Sequence, residues 1–312
     1  MFEVRRYTPD RADEWNHFVA QSKNGTFLFD RHFMDYHADR FTDCSLMVYR
    51  QGALYALLPA NIKGDVLVSH GGLTYGGLVT SNRCSAKGVQ VSFLAINDFL
   101  RSMSVRHVFY KAIPWIYHRQ PAEEDLYALT SVCHARMMIR DISSAIISDR
   151  RMKFAESRRA GIRKACRQGL TVRESADFAA FWHILDENLR TKYAVRPVHT
   201  IAELELLHSR FPKQIRLFMV YDGDQPVGGT LLFFSSQVVH TQYISANAYG
   251  KANGAIDLLF DVLINDVCTD CQYVDFGKST VSDSADLNES LIFQKEGFGA
   301  RAVCYDTYEY DL

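Results

Sequence analysis

Ile215-Arg216-Leu217-Phe218-Met219-Val220-Tyr221-Asp222-Gly223-Asp224-Gln225-Pro226-Val227 reads as a strand, a turn and the entry to a second strand. An apolar run rich in β-formers is stopped by Asp-Gly-Asp, a turn composition, and resumes at Val227. Two strands follow, over 227–234 and 238–245, parted by Ser235-Ser236-Gln237, so the segment predicts a three-strand antiparallel meander. The same order stands about 170 residues earlier, a spacing that marks an internal duplication. There, strands at 45–49, 53–62 and 66–69 are separated by Arg50-Gln51-Gly52 and Lys63-Gly64-Asp65. Met47-Val48-Tyr49 before the early turn matches Met219-Val220-Tyr221 before the late one.

Outward from the two meanders the halves keep the same order. In the first, a strand at 2–7 leads into a helix ending at Ser22, with Trp15, Phe18 and Val19 on one face. A second, aromatic helix is expected over 27–41. After the meander come the loop His70-Gly71-Gly72-Leu73-Thr74-Tyr75-Gly76-Gly77, a helix at 89–103 and a buried strand at 105–112 that Pro114 ends. In the second half, a strand at 171–174 and helices at 177–193 and 201–211 precede the meander. A glycine-bearing loop, a helix at 255–267, a strand at 273–276, a short helix at 291–296 and a last strand at 302–310 follow it. Between the halves, 136–148 is strand-like and 150–168 is a basic helix with Gly169 placed to cap it. The expected class is α/β, more narrowly α+β. Two domains are predicted, 1–149 and 150–312, the second opened by the linker helix 150–168; each is a mixed, mostly antiparallel sheet flanked by helices.

Composition agrees with two packed domains: 312 residues, 47% hydrophobic and 12% aromatic, exclude disorder, collagen and coiled coil. With 35 Lys plus Arg against 36 Asp plus Glu, the formal charge of −1 gives no global attraction to nucleic acid or membrane, so any such contact needs a local patch. No apolar run approaches the roughly 18–20 residues of a bilayer span. The first residues lack a signal-peptide pattern, and the seven cysteines lack repeated close spacing. The chain is therefore read as cytoplasmic, with reduced thiols, no membrane insertion and no DNA partner.

Three stretches carry a family resemblance. Arg158-Arg159-Ala160-Gly161-Ile162-Arg163-Lys164-Ala165-Cys166-Arg167-Gln168-Gly169-Leu170, Asp275-Phe276-Gly277, and Leu291-Ile292-Phe293-Gln294-Lys295-Glu296-Gly297-Phe298-Gly299-Ala300 are similar to segments of FemAB-like proteins. These are tandem GNAT (GCN5-related N-acetyltransferase fold) acyltransferases and peptidyltransferases. The duplicated β-α-α-β-β-β-loop-α-β-α-β order resembles the GNAT fold over nearly the whole chain. The resemblance implies transfer of an acyl group to an amine without a covalent enzyme intermediate. Its GNAT side implies an acyl-CoA donor, its FemAB side an aminoacyl-tRNA and a peptidoglycan precursor. No long helical insertion of the kind some bridge-forming members use for tRNA interrupts the chain after Leu170, which favours acyl-CoA.

Candidate site residues follow. Lys251-Ala252-Asn253-Gly254-Ala255 lies between a strand and a helix, where glycine, a helix N-terminus and a cation suit a pyrophosphate; Ile256 departs from the usual small residue, and a plain helix-capping loop is the alternative. Arg158, Arg159, Arg163 and Lys164 lie in a cationic stretch with Glu156 as its one acid, suited either to phosphates of a nucleotide-linked substrate, tRNA or CoA, or to solvent. Tyr75 and Gly76, in the early glycine loop, belong either to a second anion cradle or lid, or to a tight turn set by packing. For the chemistry, Asp275 is the candidate base, Lys278 and Lys295 candidate carbonyl or carboxylate stabilisers, and Tyr305 the candidate acid, each with a structural alternative. Cys268 and Cys271 form a lone C-x-x-C without a second pair, so no metal is expected. A non-catalytic protein that binds an anionic ligand is the reading from another class.

Overall fold

The computed structural model describes residues 2–193, 197–281 and 286–312. It resolves into two units, Met1–Asp141 with Cys304–Leu312, and Ile142–Val303. The boundary expected at 149/150 therefore falls earlier, inside a strand, and the C-terminal end returns to the first unit.

The first unit runs β1 (Phe2–Arg6), α1 (Ala12–Gln21), α2 (Arg31–Met34), β2 (Leu46–Arg50), β3 (Ala53–Leu58), β4 (Asn61–Lys63), β5 (Val66–Val68), β6 (Val79–Thr80), α3 (Ala86–Ser102), β7 (His107–Lys111), α4 (Glu124–Ser131) and the start of β8 (Arg136–Ile147). The strand expected over 53–62 is divided: Pro59, which has no N–H to give a ladder, separates β3 from β4, and the two join different sheets. β1, β2, β3 and β6 form one antiparallel sheet. β4, β5 and β7 form another with residues 307–311 at the chain's end, β5 running parallel to β7. Helix α3 begins where Ser85 Oγ accepts from Gly88 N, and its Val89, Phe93, Ile96 and Leu100, spaced by three and four, are buried against Leu46, Val48, Leu58 and Val108. The expected second helix over 27–41 is instead the short α2 between two 3-10 turns.

The second unit begins within β8 and continues with α5 (Glu156–Arg167), β9 (Thr171–Ser175), α6 (Phe178–Tyr193), α7 (Ile201–Arg210), β10 (Ile215–Asp222), β11 (Gln225–Phe234), β12 (Val238–Ala246), α8 (Ala248–Ala252), α9 (Ala255–Val262), β13 (Tyr273–Lys278), α10 (Glu289–Gly297) and the start of β14 (Arg301–Asp311). β9 to β12 are antiparallel neighbours in order, β13 lies parallel to β12, and residues 143–147 of β8 pair antiparallel with β13. Alternation along β10 sends Phe218 and Val220 into the core shared with α9, while Met219 points to the other face, near Phe181 of α6. The sheet is thus covered by helices on both faces.

Two features correct the expected layout. The last strand of each unit is exchanged in chain order: β7 takes residues 307–311 as its antiparallel neighbour, and β13 takes residues 143–147. The helix expected over 150–168 starts only at Glu156. Before it, Ala155 is extended and donates its N–H to Gly297 O at 2.8 Å, which commits that residue to a strand-like path.

Helix α5 packs along α9 at two glycines. A Cβ on Gly254, which sits at φ +76°, meets the Gly161 carbonyl oxygen, and a Cβ on Gly161 meets the Asp257 carboxylate. Arg158 reaches across to Asp257 at 2.6 Å, with side chains 19% and 12% exposed. Burial pushes the Asp257 carboxyl above its ordinary range while Arg158 opposes the rise. Removing Arg158 strands a buried carboxylate, so Arg158→Ala is expected to lower the unfolding free energy by roughly 2–4 kcal/mol at pH 8. A carboxyl whose folded pKa is raised costs stability as pH rises above its unfolded value, so the loss shrinks toward pH 5. Urea unfolding at the two pH values checks this; equal losses at both would show that the pair carries no charge-dependent stabilisation.

Candidate functional site

The ladder of β12 with β11 runs from Phe234↔Val239 to Gly228↔Ala246, but its ladder with β13 spans only Val238↔Tyr273 to His240↔Asp275. Both strands are irregular just past that point. On β12 the register jumps between Leu231↔Tyr243 and Leu232↔Thr241, leaving Gln242 as an extra residue. On β13 it jumps between Asp275↔Ala145 and Lys278↔Ser143, and Gly277 takes φ +74°. Paired bulges bend each strand and end the pairing. The edge of β12 from Thr241 to Ala246 that faced β13 lies beside no other strand among the described residues.

At the last rung sits a buried polar chain. Asp275, with 0% exposure, accepts from Ser143 Oγ, from His240 Nδ1 at 2.8 Å and from Gly277 N at 3.1 Å. A carboxylate is an acceptor only, so the proton of that imidazole contact lies on Nδ1, which leaves Nε2 the basic nitrogen of the neutral ring. Gly277 fits closely here, since a Cβ at that position would lie 3.1 Å from His240 Cε1. Next along β12, Gln242 carries a buried Oε1 that makes no hydrogen bond among the described residues. Tyr243 accepts or donates through its hydroxyl to His199 Nδ1 at 2.7 Å and packs edge-on to Trp182; burial raises its pKa. At the far end of the strand, Asn188 Nδ2 donates to Ser245 Oγ and to Ala246 O, and Lys251 Nζ donates to Asn188 Oδ1.

Of the residues singled out from sequence, Asp275 is at this site, but its burial and full set of donors make it the group that orients His240 rather than a base that meets substrate. Lys295 is a clamp. Its ammonium donates to Gly277 O at 2.7 Å, Lys278 O at 2.9 Å and Ser279 Oγ at 2.8 Å, tying α10 to the end of β13, and burial lowers its pKa to about 8. Lys278 is exposed at the strand end. Tyr305 belongs to the other unit, where its hydroxyl lies 3.1 Å from that of Tyr117 and its ring faces Tyr75; it is not part of this site.

The expected cofactor loop is engaged by its own chain. Asn253 Nδ2 donates to Tyr249 O, Lys164 Nζ to Ala252 O, and the packing of α5 already accounts for Gly254; Ala255, with 0% exposure, opens α9 without a side-chain cap. In the basic stretch Arg158 turns inward to Asp257, whereas Arg159 and Arg163 share Glu156 and stay about half exposed. The early glycine loop has the wrong polarity for an anion cradle: the carbonyls of His70 and Leu73 converge on the Lys111 ammonium. Tyr75 is buried there on Thr26 and Phe29, and Gly76 is demanded by contact with the Ser69 carbonyl.

Sequence reasoning missed His240. The signal was present: a histidine in an otherwise apolar strand, at the position that a parallel neighbour brings level with Asp275. Among the described residues no group of three or more His, Cys, Asp or Glu is arranged to hold a metal, and no helix is long and apolar enough to cross a membrane.

Residues 152–284 match the family model described as an acetyltransferase (GNAT) domain. No curated protein matches the sequence. Among solved structures, the chain is similar to FemX (TM-score 0.70, 11% identity, 99% of this chain and 97% of that one). It is also similar to L-PGS from Bacillus licheniformis (TM-score 0.63, 12% identity, 98% and 92%). A third likeness is to a tandem GNAT protein from the clavulanic acid biosynthesis pathway (TM-score 0.53, 10% identity, 100% and 98%).

The clamp role of Lys295 is open to measurement. Lys295→Met leaves buried carbonyls on β13 without donors and is expected to lower the unfolding free energy by roughly 2–3 kcal/mol. Thermal and urea unfolding check it; a variant as stable as the parent would return Lys295 to the candidates for chemistry.

Proposed function

We propose that this chain, a FemAB-like tandem GNAT protein, is an N-acyltransferase that moves an acyl group from an acyl-CoA thioester to a substrate amine where β12 and β13 part. The observation that carries this reading is the His240–Asp275 pair on the last rung before the strands separate. An imidazole oriented by a buried carboxylate lies on the rung where the two strands cease to pair, and beyond it the edge of β12 has no strand neighbour among the described residues.

Such an edge receives an extended, amide-bearing chain as an added strand. The donor's pantetheine arm lies along Thr241 to Ala246, with its anionic end toward the exposed Lys251 beyond the strand. The neutral amine attacks the thioester carbon, and the carbonyl electrons move onto oxygen, where a backbone N–H at the Gln242 bulge steadies them. His240 Nε2 takes the proton the nitrogen sheds. Asp275 stabilises the imidazolium so formed through Nδ1–H. On collapse the C–S bond breaks, the amide forms, and the thiolate leaves with the proton returned by His240.

An aminoacyl-tRNA donor is the second reading, favoured by the exposed Arg159 and Arg163. In that case the ester oxygen leaves in place of the thiolate, and the same pair moves the proton.

Thiol release from a panel of acyl-CoA thioesters and primary amines tests the proposal. Turnover is expected with at least one pair, and His240→Ala is expected to lower kcat by about 10²–10⁴, as loss of a general base does. Asp275→Asn is expected to lower kcat less, with KM little changed. Absence of binding by every thioester in calorimetry, or full activity in His240→Ala, defeats the reading; amide formation from charged tRNA alone moves it to the second donor.

A further inference from the structure

The second unit has an open surface pocket of about 540 Å³, bordered by the segment 151–154, the first turns of α5 and the end of α9. Its residues are of two kinds. Met152, Phe154 and Ile162 form an apolar wall, and Arg151, Lys153, Arg159 and Arg163 bring cations to it; Asp261 is the opposing acid. Among these, Met152 stays 48% exposed.

The cations are held differently. Arg151 is fixed, donating from Nη1 to Ile264 O at 3.0 Å and to Asn265 Oδ1 at 2.8 Å. The Ile264 carbonyl belongs to the π-helical turn Leu263–Val267 that follows α9, a turn type often found where a helix serves a site. Arg159 and Arg163 share the single carboxylate of Glu156, and their side chains are 54% and 55% exposed. One acid between two guanidinium groups, with Lys153 and Arg151 beside them, leaves net positive charge over an apolar surface. The volume falls in the usual range for small-molecule sites, roughly 300–1,000 Å³. An inorganic anion alone makes no use of the apolar wall, and an uncharged chain makes none of the cations.

We propose that this pocket binds a phosphate group joined to an apolar chain, the phosphate forked by Arg159 and Arg163 and the chain laid on Met152, Phe154 and Ile162. The site is separate from the β12–β13 parting and does not rest on the acyl-transfer reading. The phosphate amphiphile is either a soluble molecule or a lipid headgroup in a bilayer.

Calorimetry of the full chain with dodecyl phosphate, below its micelle concentration, tests this against two probes that carry one property each, inorganic phosphate and dodecyl maltoside. Dodecyl phosphate is expected to bind at least about ten-fold more tightly than either, and Arg159→Ala with Arg163→Ala to weaken it by about ten-fold or more. Met152→Ser, at an exposed position, is expected to weaken it by about three-fold or more through the apolar wall. Arg106→Ala, on an exposed cation of the other unit, is expected to leave binding unchanged. Capture on phosphatidylglycerol vesicles but not phosphatidylcholine vesicles, lost in the double variant, supports the proposal and assigns the bilayer source; binding of the soluble probe without capture supports it and assigns the soluble one. Equal affinity for inorganic phosphate or for the maltoside, unchanged affinity in both the double variant and Met152→Ser, or salt-sensitive tRNA binding with none of dodecyl phosphate, overturns it.

Discussion

A carboxylate with no exposure to solvent has to find its hydrogen bonds inside the protein, and in the second unit Asp275 finds them on three strands. Ser143 comes from β8, His240 from β12 and the Gly277 amide from β13 itself. The borrowed strand β8 is thereby tied to the center of the sheet, and the imidazole is held in one tautomer. Losing any donor costs more than one hydrogen bond, because it leaves charge uncompensated in a place water does not reach. Lys295 completes the arrangement by donating to the carbonyls of Gly277 and Lys278, so the bulge that ends the β12–β13 ladder is held through both its amide and its carbonyls.

Much of this was legible in the sequence because it depends on local patterns. The second meander, the β2–β3 hairpin of the first, the 3.6-residue periodicity of α3 and α6, and the positive-φ glycine after α5 are each written in a few consecutive residues; the rest of the expected first meander is not formed, since β4 and β5 join another sheet. The exchange of last strands was not, because 136–148 and 302–310 have the same β-composition wherever they pair; only the three-dimensional ladder decides that residues 143–147 lie against β13 and 307–311 against β7. His240 was hidden for the same reason. Its meaning comes from the register with Asp275, a parallel pairing between segments more than thirty residues apart.

Glycine was the residue most open to misreading. Gly254 and Gly76 each stood in a stretch whose composition suits an anion, yet each is accounted for by the nearness of another backbone: Gly161 for the first, Ser69 for the second. Steric need and ligand need select the same residue, and spacing alone does not separate them. Burial does separate the charged candidates. Arg158 and Lys295 point inward to fixed partners, whereas Arg159 and Arg163 keep about half of their surface in solvent.

The duplication also bears on why the proposed chemistry is placed in one unit. In the first unit β5 and β7 form the parallel pair that β12 and β13 form in the second, ending at Val68↔Phe109. Past that rung, the edge of β7 that faced β5 is taken by the unit's own loop: Lys111 N donates to Ser69 Oγ at 2.7 Å, and Gly76 N donates to Lys111 O at 3.1 Å. The Lys111 ammonium then draws the carbonyls of His70 and Leu73 into the same space. A chain that lies in its own gap satisfies the strand edge without a ligand. In the second unit the corresponding stretch of β12 is followed by α8, and the edge from Thr241 to Ala246 keeps no strand partner among the described residues. Two copies of one fold thus differ at the parting of their parallel strands: one fills it with a glycine-rich loop, and the other carries a histidine and a buried aspartate on its last rung.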